Sequence, residues 1–131
     1  MAKGNKGLTK AEEELMQHLW KLEKGYLKDI VEAYSEPKPA YTTVATVIRV
    51  LVKKGFIAFN THGKVHEYYP TVSKQVYFKK HLSVMVSNFF GGSMTRFASF
   101  FTADEDLDIN ELKQIKDMIE GEIAQRKEKE E

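Results

Sequence analysis

The chain has 131 residues, with 20 Lys/Arg against 19 Asp/Glu and 42% hydrophobic residues, which suits one domain or two small subdomains around an ordinary apolar core. It has no cysteine, so disulfides and thiolate metal sites are excluded. The N-terminal MAKGNKG has no apolar segment of the signal-peptide kind, and no apolar run approaches the ~18 residues of a membrane span, so a cytoplasmic protein is expected.

Residues 1–7 are small and basic and are expected to fray. Thr9 followed by Glu12 reads as a capping box. Ala11, Leu15, Leu19 and Trp20 or Leu22 then share one face, which predicts a first helix over Lys10 to Leu22. Gly25 ends that unit. A short second helix carries Leu27, Ile30, Val31 and Tyr34, and Glu36-Pro37-Lys38-Pro39 stops it, because proline disfavours helix at the residue before it. The third helix starts near Ala40 or Tyr41. Val44, Val47, Ile48 and Leu51 fall at i, i+3, i+4 and i+7 as its buried stripe. Thr42, Thr43, Ala45, Thr46, Arg49 and Lys53 lie opposite. Gly55 is the expected C-cap, after two lysines that suit the negative end of the helix dipole.

Phe56 to Phe59 reads as a strand, Thr61-His62-Gly63-Lys64 as a turn, and Val65 to Tyr69 as the returning strand, closed by Pro70. Three helices and a hairpin in this order make a winged helix-turn-helix. After it, Ser73 caps a long helix, Lys74 to Phe90. Gly91-Gly92-Ser93 interrupts the pattern, and Met94 to Phe101 forms a short helix. Asp104, Glu105, Asp106 and Asp108 form an acidic lead-in to a last helix bearing Leu112, Ile115, Met118 or Ile119, and Ile123. Its charged tail from Gln125 is expected to fray. The fold class is mainly α (α+β), divided into a winged-helix domain at residues 1–71 and a helical domain at 72–131.

The two parts differ in charge. Residues 1–71 hold 11 Lys/Arg and 8 Asp/Glu, and residues 72–131 hold 9 and 11. Pro37 to His66 contains no Asp or Glu, while it carries Lys38, Arg49, Lys53, Lys54 and Lys64. An acid-free helix followed by a basic hairpin suits a polyanion, and the winged-helix order points to double-stranded DNA. Tyr41, Thr42, Thr43, Thr46, Arg49, Lys53, Lys54 and Lys64 are the candidate DNA contacts. The threonines are short enough for the helix to lie deep in the major groove and can meet a thymine methyl or a phosphate. Arg49 has the longer reach, to guanine or phosphate. Tyr41 can stack or donate to phosphate, the lysines suit phosphates, and a wing tip of His62-Gly63-Lys64 approaches the backbone or the minor groove.

The C-terminal part carries more phenylalanine and methionine than one thin layer of helices can bury, which implies a partner surface. A homodimer is the expected partner, since C₂ dimers are the commonest soluble oligomers. Leu82, Met85, Val86, Phe89, Phe97, Phe100, Leu112, Ile115 and Ile119 are its candidate dimerisation residues. No cofactor or metal is expected: His18, His62, His66 and His81 are scattered, and the acidic loop lacks calcium-loop spacing. Nothing has the spacing of a catalytic triad or a carboxylate pair, so an enzyme is not expected.

The segments LTKAEEELMQHLW, KDIVEAY, YTTVATVIRVLVKKGFI, HEYYPTVSKQVY, FGGSMTRFASFF and EDLDINELKQIKDMI, taken in order from Leu8 to about Glu122, resemble the penicillinase repressor family of bacterial transcriptional regulators (BlaI/MecI/CopY-type). The resemblance implies a homodimeric repressor on a palindromic operator, with Tyr41, Thr43 and Thr46 at frequent recognition-helix positions and Lys53-Lys54-Gly55 at its usual ending. It also implies a membrane sensor as partner and release by proteolysis in the C-terminal region. Three departures stand out. The cysteine cluster of the copper-responsive members is absent. Phe100-Phe101 stands where the β-lactam-responsive members have a cleaved Asn-Phe, whereas Asn88-Phe89 lies one element earlier. Ala45 and Val50 replace a basic residue and an arginine of many members, which bears on the operator sequence. The competing reading is a winged-helix protein-interaction adaptor without sequence-specific DNA binding.

Overall fold

The computed structural model describes residues 7–130; the tail expected to fray lies, save Gly7, outside them. In chain order the elements are α1 (Lys10–Leu22), β1 (Gly25–Tyr26), α2 (Leu27–Ala33), α3 (Tyr41–Lys54), β2 (Ile57–His62), β3 (Val65–Pro70), α4 (Lys74–Phe90), α5 (Met94–Thr102) and α6 (Ile109–Glu130). The chain divides into two compact units, the first running to Leu82 and the second from Ser83. The expected boundary at 71/72 fell at a break in texture. The first unit reaches further because Tyr77, in the second turn of α4, is part of its core.

In the first unit the capping box is complete. The Thr9 hydroxyl accepts from the Glu12 amide, and the Glu12 carboxylate accepts from the Thr9 amide at 3.0 Å. α1 then buries Leu15, Met16 and Leu19 against Ile30 and Val31 of α2 and Val44, Ile48 and Leu51 of α3. Eight of the 14 residues of α3 are β-branched, which gives poor intrinsic helix propensity, so packing of its apolar stripe must hold it. Gly55, at φ 89, ends it in the left-handed region, and the Phe56 amide donates back to the Leu51 carbonyl at 2.9 Å. That bond is the reason β2 begins at Ile57 rather than at the expected Phe56. Its pairing with the returning strand persists to His62, beyond the expected end at Phe59.

The sheet has the order β1-β3-β2, all antiparallel, with Phe59 opposite Tyr68 and His62 opposite Val65. Gly63 opens the two-residue turn at φ 64, a conformation that glycine adopts without strain. β1 was not expected, because two residues are too short to show alternation. It turns the hairpin into a three-stranded sheet.

In the second unit, Ser93 caps α5 by accepting from the Arg96 amide. Phe90 meets Phe97 and Phe100 ring to ring, with centroids 5.6 and 5.7 Å apart. α6 buries none of its side chains. It continues as helix to Glu130, where fraying from Gln125 was expected, with Arg126 donating to Glu122 one turn back at 3.1 Å. Among the described residues no helix is long and apolar enough to cross a membrane.

Candidate nucleic-acid interface

The stripe that buries Val44, Ile48 and Leu51 leaves the opposite side of α3 in solvent. Tyr41, Thr42, Thr43, Thr46, Arg49 and Lys53 are all exposed there, with no acidic residue among them. The face is internally ordered. The Thr46 hydroxyl donates to the Thr42 carbonyl at 2.9 Å, and Arg49 Nη2 donates to the Thr46 hydroxyl at 3.3 Å. The arginine therefore lies along the helix, over the threonines. It also acts on the wing: burial pushes the Tyr68 phenol above its ordinary value, opposed in part by the Arg49 guanidinium. No sequence signal ties Tyr68 to Arg49, because one lies on a strand and the other on a helix.

Lys54 is placed apart from the other candidates. Its Nζ donates to Glu12 Oε1 at 2.7 Å, with the two side chains only 28% and 10% exposed. The pair joins the end of α3 to the start of α1. Burial raises the Glu12 carboxyl, but the Lys54 hydrogen bond and charge and the Thr9 bonds more than offset this and leave it below the ordinary glutamate value.

The wing presents two faces. Ile57, Phe59 and Thr61 share one with His66 and Tyr68, and this face leads from the core. His66 Nδ1 lies 3.1 Å from the Thr61 hydroxyl, and its ring lies 4.1 Å from Phe59. The other face holds His62, whose Nε2 is 3.2 Å from Glu67 Oε1 and whose ring meets Tyr26 edge-on. His62, expected at a DNA-facing tip, thus faces a carboxylate. Lys64, in the turn, is exposed.

Of the candidate dimerisation residues, Val86 is buried within its own chain, and Leu82, Phe97, Leu112 and Ile115 are half-buried. Met85 and Ile119 are exposed, as are Phe89 at 75% and Phe100 at 71%. Among the described residues no group of three or more His, Cys, Asp or Glu could hold a metal ion.

The penicillinase repressor family matches residues 8–121. The chain is similar to the penicillinase repressor of Bacillus licheniformis, 25% identical over 112 residues, covering 82% of this chain and 88% of that protein. It is likewise similar to the methicillin resistance regulatory protein MecI of Staphylococcus aureus, 25% identical over 113 residues, covering 86% and 92%. A solution structure of the DNA-binding domain of the repressor BlaI aligns with a TM-score of 0.48 and 25% identity, over 53% of this chain and 87% of that one. Since the family pattern extends through both compact units, this chain belongs to the penicillinase repressor family.

Proposed function

We propose that the protein is a sequence-specific DNA-binding transcriptional repressor that acts as a homodimer on a palindromic operator. The observation that carries this reading is the acid-free exposed face of α3, flanked by a wing, in a chain that matches the penicillinase repressor family over residues 8–121. α3 enters the major groove. Tyr41, Thr42, Thr43 and Thr46 approach bases and phosphates near its N-terminal end, and Arg49 swings off Thr46 to reach a base edge. Lys53 and Lys64 contact phosphates. Lys54 serves the fold through Glu12. The exposed Met85, Phe89, Phe100 and Ile119 are covered by the second copy, since apolar surface of this extent is seldom left to water.

The membrane sensor implied by the resemblance would need a different cut. Asn88-Phe89 lies within α4, where backbone hydrogen bonds must open before a protease can bind, and Phe100-Phe101 near the end of α5 is not an Asn-Phe bond.

Anisotropy titration against the gene's own promoter at several salt concentrations tests the reading. Binding should weaken steeply with salt, as counterions are released from phosphates. Arg49→Ala should cost about 1–3 kcal/mol and relax specificity at one position if it reads guanine. Sedimentation should give a dimer. A monomer with no salt-dependent DNA binding would favour the adaptor.

A further inference from the structure

An open cleft of about 500 Å³ lies between the first turn of α2 and the wing, lined by Tyr26, Leu27, Lys28, Asp29, Lys64, Val65, His66 and Tyr68. Its charges are unequal. The one carboxylate, Asp29, is already engaged, since its Oδ2 accepts from the Tyr26 amide at 2.9 Å. Against it stand Lys28 and Lys64, neither ion-paired among the described residues. His66 is the third basic group. With the Thr61 hydroxyl at Nδ1, Nε2 is the nitrogen left to serve a ligand. The cleft is bordered by the wing face that includes Tyr68, the phenol acted on by Arg49 of the recognition helix.

We propose that this cleft is a phosphodiester site, in which Lys28 and Lys64 hold a backbone phosphate beside the His66 ring. The inference rests on the DNA-binding reading and extends it to residues outside α3. A phosphate fits because two lysines on separate elements can each supply donors to it.

The test uses the full chain and a labelled 30-base-pair duplex of mixed sequence, titrated at four salt concentrations. Lys28→Ala and Lys64→Ala should each lower the slope of log K against log salt by about one. Circular dichroism melts confirm that each variant is folded, and Lys28→Gln repeats the charge loss with a longer side chain. An unchanged slope in either lysine variant would overturn the cleft while leaving DNA binding intact. Failure of the wild-type protein to bind at any salt concentration would overturn both.

Discussion

Lys54→Met separates a structural lysine from a DNA-contacting one. The substitution keeps the aliphatic stem and removes the ammonium that lies 2.7 Å from Glu12 Oε1. Glu12 is 7% exposed, so its carboxylate would be left with only the Thr9 bonds to offset its lost hydration. Breaking a fully buried pair costs about 3–5 kcal/mol, and an exposed one less than about 1 kcal/mol. With the lysine partly open to water the expected loss is about 2 kcal/mol. For a folding unit of this size that lowers Tm by about 8–16 °C. Glu12→Gln should cost less, since an amide oxygen still accepts from Thr9. In the double variant the two losses should fall short of their sum, with a coupling of about 1 kcal/mol or more. Thermal melts by circular dichroism give the four stabilities, and the salt slope of DNA binding gives the contrast. A Lys54→Met variant that melts like the wild type but loses about one unit of salt slope would refute the argument and make Lys54 a phosphate ligand.

Further outcomes follow from backbone and titration. Glu23 closes α1 at φ 71, where a side chain is strained, so Glu23→Gly should raise stability by about 0.5–1 kcal/mol in a urea titration. Gly25 is buried in β1, and a Cβ there would stand 3.2 Å from the Asp29 Cβ. Gly25→Ala should therefore cost about 1–3 kcal/mol by overpacking, read from the same titration. The Glu12 carboxyl is held below 4.5 in the folded chain, so its contribution is present above that value and is lost as pH falls through the lower folded value. Burial, with Glu14 nearby, pushes the Tyr34 phenol from 10.0 up to about 12. Its contribution is whole below pH 10 and lost as pH rises toward 12. Glu12→Gln should flatten the acid limb of the stability profile, and Tyr34→Phe the alkaline limb.

Much of this architecture is local and was legible in the amino-acid order. The Thr9–Glu12 box, the Val44–Ile48–Leu51 stripe, the Gly55 stop and the Gly63 turn each need only neighbours within a turn or two, so period and capping chemistry suffice to place them. The exposed threonine and Arg49 face follows by elimination once the stripe is known. What depends on long-range pairing was not legible. β1 exists because Gly25 and Tyr26 meet Tyr68 and Glu67, and two residues carry no periodic signal. Lys54 turns to Glu12 across 42 positions of chain, and Tyr77 extends the first unit into α4 by packing on Trp20 and Phe56. Strand register likewise separates two similar histidines, setting His66 beside Thr61 and Phe59 and His62 beside Glu67. Side chains alternate between the two faces of a sheet, so a shift of one residue would exchange their roles. The sequence by itself determined which helices form and which side of α3 is basic. Only the tertiary structure decided which of the basic residues are held by carboxylates and which remain to meet a partner.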